Sequence, residues 1–201
     1  MVSFELNGEE QYGSLEKYRQ DETQTLSYLL TRIDIKIPSG TIIETINLKG
    51  ETDVWMIYWL ENMVASGYNR YICLHMTHKL SWKDREGNVQ TSWAYMYGQE
   101  DNMLKDEIRS RSREQVLYSE NLKLSFFILP TNETIRKETY LTVGEGALKE
   151  AYVVTGYDIQ STPGVEYVSI DPQYIRDETP TPTKEGQEDS NDFFWLEGGG
   201  N

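Results

Sequence analysis

The sequence is poor in the residues from which most catalytic and metal centres are built. It has one cysteine, Cys73, and two histidines, His75 and His78, all within the segment YICLHMTH. A lone cysteine excludes an internal disulfide framework and suits a reducing cytosol. A closed zinc site needs four ligands; Cys73 and His75 share one face of a strand, His78 is an odd step away, and no second Cys/His cluster exists. No metal site, cofactor or Ser–His–Asp arrangement is therefore expected. The pair Gly144 and Gly146, followed by Lys149, lacks the spacing of a phosphate loop and joins two strands, so it reads as a hairpin turn. Carboxylates are abundant, 33 in all, and no pair among them stands out for acid–base work. Enzyme chemistry is not expected.

Long apolar runs are also missing. The longest, Val54–Leu60, is the size of a buried strand and far below the ~20 residues of a membrane span. The opening MVSFELNGEE has neither a basic flank nor an apolar stretch, so no secretory leader is expected. Positive charge is scarce: 19 Lys and Arg against 33 Asp and Glu give a net charge of −14. Such a surface repels duplex DNA, whose non-specific affinity comes from counterion release by Lys and Arg. It keeps a protein soluble and favours basic partners or protein assembly. A soluble protein, intracellular at synthesis, is expected.

What the chain does have is aromatic and β-branched residues in alternation. Aromatics make up 12% of the sequence. Leu15, Tyr18, Leu26, Leu29 and Leu30 have partly helical spacing, which predicts a short amphipathic helix in Leu15–Leu30. Arg32–Ile37 alternates with Ile33, Ile35 and Ile37 on one face, the mark of a half-buried strand. Pro38, Ser39 and Gly40 form a turn, and Thr41–Ile46 returns as a strand. Val54–Leu60 is a central strand covered on both faces. Asn69–Trp82 reads as one long, bent strand with Ile72, Leu74, Met76, His78, Leu80 and Trp82 on one face. Asp84–Asn88 then turns the chain into Val89–Tyr97, a hairpin. Strands resume at Leu122–Leu129, Glu138–Val143, Glu150–Tyr157 and Val165–Asp171. The expected fold is mainly β, a barrel or sandwich of about seven to nine short antiparallel strands. Its expected organisation is an N-terminal extension (1–30), a β-barrel domain (31–175) and an acidic extended tail (176–201).

Two segments depart from this pattern. The excursion Gln99–Gln115 carries Arg109, Arg111 and Arg113, the one dense positive spot of the chain, with Lys105 just before it. Arginine suits bidentate contact with carboxylate or phosphate, so this cluster is a candidate for docking to an acidic neighbour. Lys105, Arg109 and Arg111 are candidates for touching DNA in a channel. A solvated loop balanced by Asp106, Glu107 and Glu114 explains the same residues. In the tail, Phe193, Phe194, Trp195 and Leu196 follow an acidic tether that lacks large apolar residues. Four such groups left free are an aggregation hazard, so they are expected to dock in a groove, on a neighbour or on the same domain.

Five pieces follow one another in a definite order over about Thr41–Ile175. They are a Trp-bearing strand (Val54–Leu60) and a hairpin with Leu80, Trp82, Asp84, Gly87 and Asn88. A strand ending in Leu129 and Pro130 comes next, and then Ile135, Tyr140 and Leu141. The last is a closing hairpin with Tyr152, Val154, Thr155, Tyr157, Asp158, Ser161, Thr162, Pro163 and Gly164. In this order they resemble the head-closure proteins (stoppers, or head–tail connectors) of long-tailed bacteriophages of Gram-positive hosts. The resemblance implies a structural virion protein of the neck, assembled in the host cytoplasm. It implies a homo-oligomeric ring, hexamer or dodecamer, below the portal or its adaptor and above the tail-completion proteins. Packaged DNA would be retained in the channel without sequence recognition and without a membrane. Arg109, Arg111, Arg113 and Phe193–Leu196 then become candidates for docking on the next subunit or the adaptor. A tail terminator or another neck connector fits nearly as well. From a different class, a carbohydrate- or peptide-binding sandwich would use Trp59, Trp93, Tyr95 and Tyr97 as a stacking surface, and a metal-dependent hydrolase ranks third.

Overall fold

The alternating runs fold as twelve β-strands, with no helix among the described residues. The computed structural model describes residues 2–6, 8–18, 25–47, 49–61, 67–97, 126–144, 149–159 and 162–174. In chain order the strands are β1 (Val2–Leu6), β2 (Glu9–Lys17), β3 (Leu26–Arg32), β4 (Ile42–Ile46), β5 (Thr52–Glu61) and β6 (Tyr68–His75). These form an antiparallel sheet of order β1-β2-β3-β6-β5-β4. The remaining six are β7 (His78–Lys83), β8 (Val89–Tyr97), β9 (Phe126–Pro130), β10 (Tyr140–Val143), β11 (Glu150–Asp158) and β12 (Val165–Gln173). They close on themselves as a barrel of order β10-β11-β12-β9-β8-β7.

Period-two alternation sorts the side chains into three cores. Phe4, Leu29, Ile43, Trp55, Ile57, Tyr71 and Cys73 fill one side of the first sheet. Leu80, Trp82, Phe127, Leu129, Leu141, Tyr152, Val154, Val168 and Ile170 fill the barrel interior. Between the two lies a third cluster, in which Val54, Met56, Tyr58, Trp59, Ile72 and Leu74 meet the barrel's Tyr95, Tyr97, Phe126, Ile128, Val165 and Tyr167. Each fully buried Leu, Ile or Phe contributes roughly 1.5–3 kcal/mol. β5 is covered on both faces, as its apolar run predicts. A bulge between Ile57 and Trp59 turns Tyr58 and Trp59 to the same side, where their rings stack 4.2 Å apart.

The long strand expected over Asn69–Trp82 is two strands in two sheets. β6 ends at His75 and β7 begins at His78. At the break, Met76 N donates to Val54 O in the first sheet (2.8 Å) and Thr77 N donates to Ala94 O in the barrel (3.1 Å). Alternation survives the crossing but changes core: Ile72, Leu74 and Met76 lie in the cluster between the sheets, Leu80 and Trp82 inside the barrel.

Three further expectations are corrected. The segment predicted as a helix, Leu15–Leu30, supplies β2 and β3 where described. Leu15 and Leu29 are directly opposite one another in that ladder, so their spacing reflects cross-strand pairing. β1–β3, drawn from residues expected as an extension, are integral to the first sheet. Arg32–Ile37, predicted as a strand, leaves β3 in a turn, and Ile33 is 62% exposed. Its backbone is satisfied by side chains: Asn69 Nδ2 donates to Ile33 O (3.1 Å) and Ile35 O (2.7 Å). The Tyr71 hydroxyl donates to Ile35 O and accepts from Ile37 N, both at 3.0 Å.

Candidate functional site

The motif residues of the second half become legible once placed in the barrel. Asp84 organises the β7–β8 turn. Its Oδ1 accepts the N–H groups of Glu86 and Asn88 (2.9 Å each), and its Oδ2 accepts from Gln90 Nε2 (2.9 Å). Gly87 supplies the left-handed residue, at φ 87°. Leu80, Trp82, Leu129, Ile135, Leu141, Tyr152 and Val154 all point into one barrel core.

One end of that core is closed by a polar chain under the loop between β9 and β10. Trp82 Nε1 donates to Thr134 Oγ1 (2.8 Å), which donates to Asn132 Oδ1 (2.7 Å). Asn132 N donates to Glu166 Oε2 (3.0 Å). Glu166 lies on the same face of β12 as Val168 and Ile170, inside the barrel, and is fully buried. Its Oε1 has no hydrogen-bond partner among the described residues. Burial pushes its carboxyl above the usual range, against the hydrogen bond from Asn132 and the nearby Arg136. At the first residue of β7, burial pushes the His78 imidazole down, with Glu150 opposing the shift. Burial and then the hydrogen bond to Glu150 push the Tyr152 phenol up.

The closing hairpin serves the joint between the two sheets. Tyr167 Oη lies 2.5 Å from Tyr58 Oη and 3.0 Å from Thr162 Oγ1. The Ser39–Gly40 turn before β4 rests on the Pro163–Gly164 turn before β12. A Cβ on Gly40 would stand 2.0 Å from Gly164 O, and one on Gly164 would stand 2.1 Å from Ser39 O. Both glycines have positive φ, 84° and 82°. Two turns that the sequence marks separately are thus one backbone contact. The signal for it, Pro-x-Gly in one half and Pro-Gly in the other, names each turn but not their partnership.

Sequence-predicted sites fare unevenly. Lys105, Arg109, Arg111, Arg113, Phe193, Phe194, Trp195 and Leu196 lie outside the described residues. Cys73 is buried and its thiol is pushed far up by burial. His75 stacks on Trp55 at 4.6 Å, with Nε2 3.9 Å from Asp53 Oδ1. The stacking surface expected from Trp59, Trp93, Tyr95 and Tyr97 is corrected. Trp59, Tyr95 and Tyr97 are buried in the cluster between the sheets and Trp93 packs against it, because the face that alternation selects is the one the first sheet covers.

No family model matches the chain, and no curated protein matches it. Among solved structures it is similar to MrkH of K. pneumonia in complex with c-di-GMP, at 12% identity and a TM-score of 0.28 over 87% of this chain and 80% of that one. Apo MrkH follows at 13% identity and a TM-score of 0.26, over 87% and 78%. A further MrkH structure, described as a c-di-GMP-dependent transcription regulatory factor, gives 14% and 0.25, over 88% and 78%. Scores this low carry no inference about function.

Proposed function

We propose that this protein is a structural component of a bacteriophage neck. Copies form a ring beneath the portal or its adaptor, close the DNA-filled head and present a surface to the tail. The carrying observation is that the motif residues from Leu80 onward gather on one closed barrel, while the Trp-bearing strand Val54–Leu60 lies in the sheet packed against it. Seven of its core side chains, its Asp84 turn and its Gly164 contact with the first sheet are all motif positions. A scaffold stiffened at its turns and packed on two faces suits a subunit that bears load between neighbouring rings. The net charge of −14 lets duplex DNA pass a channel wall without adhering.

The test is to mix the purified full-length protein with assembled portal–adaptor complexes and examine them by electron microscopy. The expected result is one added ring of density below the adaptor. Absence of association with a correctly assembled adaptor overturns the proposal. Binding at the distal end of an isolated tail tube would assign the protein to the tail terminators instead.

A further inference from the structure

The first sheet ends in two edges that face each other. Five successive antiparallel ladders make β1 and β4 antiparallel to one another. They approach within 8 Å but share no ladder. In an antiparallel pair, alternate residues turn N–H and C=O away from the partner. Among the described residues, β1, paired to β2, and β4, paired to β5, therefore each keep unpaired backbone groups along the seam.

Free edges are ordinarily blunted by lysine, proline or a bulge. Neither edge here has any of these three devices, and the only charge each carries is a glutamate, Glu5 or Glu44. VSFEL and IIETI contain no lysine and no proline, and both ladders run without a register shift. Between them lies a cleft of about 740 Å³. Its walls follow the pleat: Phe4 and Ile43 belong to the core of this sheet, while Ser3, Glu5 and Glu44 are exposed. Glu10, opposite Glu5 in the β1–β2 register, adds a third carboxylate, and no Lys or Arg among the described residues lines the cleft.

We propose that this seam is a strand-acceptor site for an extended basic polypeptide segment of a partner protein. The added strand hydrogen-bonds to the free edges, the mode in which main-chain bonds supply affinity and alternate side chains supply specificity. Its apolar residues face Phe4 and Ile43, and its Lys or Arg residues, on the other face, meet Glu5, Glu10 and Glu44. A segment of about five residues, ~17 Å long, matches the edges. Seating it between them spreads β1 from β4, which the missing ladder permits. The inference does not depend on the neck reading.

The probe is a fluorescein-labelled heptapeptide alternating lysine and valine, titrated into the full-length protein by fluorescence anisotropy. The same peptide N-methylated on alternate amides keeps its charge and loses the donors along one edge. Saturable binding is expected, weakened about tenfold by N-methylation and about tenfold in the Glu5→Gln/Glu44→Gln protein, which keeps its circular dichroism. Amide exchange is expected to slow in β1 and β4. Equal binding of the N-methylated peptide, protection confined to other strands, or no saturable binding overturns the proposal. Peptide-sensitive dimers in sedimentation, lost in Glu44→Lys, would overturn it in favour of a second copy of this chain.

Discussion

The hydroxyls of Tyr58 and Tyr167 meet 2.5 Å apart in the core between the two sheets. Tyr58 reaches that position by alternation with Val54 and Met56 along β5, and Tyr167 because alternation along β12 sends it outward while Glu166 and Val168 point in. Burial pushes the Tyr167 phenol up, against its hydrogen bonds to Thr162 and Tyr58, so it stays protonated at neutral pH. Removing the Tyr58 hydroxyl leaves Tyr167 bonded to Thr162, whereas removing the Tyr167 hydroxyl breaks both bonds. Tyr58→Phe is expected to cost about 1 kcal/mol and Tyr167→Phe about 2 kcal/mol. Urea denaturation should show the double variant costing less than the two single variants combined.

The contact between Gly40 and Gly164 leaves no room for a methyl group on either side. Gly40→Ala and Gly164→Ala should each destabilise by about 3 kcal/mol or more, from backbone collision added to left-handed strain. Gly87 has a similar φ, but a Cβ there would meet nothing within 4 Å, so Gly87→Ala should cost only about 1 kcal/mol. Thermal melts of the three variants distinguish collision from strain; equal losses would show that the turn contact contributes nothing.

Glu166 gives a pH dependence whose sign can be worked out. Its folded carboxyl sits above the ordinary 4.5, so the folded state holds the proton more tightly than the unfolded one. Its contribution is fully present below about pH 4.5 and is lost as the pH rises from there through the folded value. Glu166→Gln retains an acceptor for Asn132 N and has no proton to lose. Relative to wild type, the Gln variant should therefore gain stability between about pH 4 and pH 7. A stability difference that is flat across that range in denaturant titrations would refute the assignment.

Tyr71 holds the segment after β3 through one hydroxyl. Tyr71→Phe keeps the ring in its core but leaves the Ile37 N–H and the Ile35 carbonyl without that partner. The expected cost is about 1–3 kcal/mol, with faster amide exchange at Ile37. Unchanged exchange there would mean that Asn69 alone restrains the segment.

Strands whose two faces differ, or whose run is apolar throughout, were the parts most legible in the sequence. Val54–Leu60 and the Asp84 hairpin appear where their patterns place them, because each is decided by local alternation and turn chemistry. Leu15–Leu30 misled because two adjacent strands bring leucines together at intervals that also suit a helix. Arg32–Ile37 misled because a tyrosine hydroxyl and an asparagine amide replaced the neighbouring strand its alternation implies. The crossing at Met76 and Thr77 was invisible, since a strand that changes sheets keeps its parity. The aromatic faces of β5 and β8 were recognisable as faces, but their burial depended on a partner sheet distant in sequence.

Met76 and Thr77 also set how force travels through the molecule. One is bonded to the first sheet, the next residue to the barrel, and no slack separates them. A load applied to one half reaches the other without a spring in between, so the halves turn together, and any hinge at this point must first break a backbone bond.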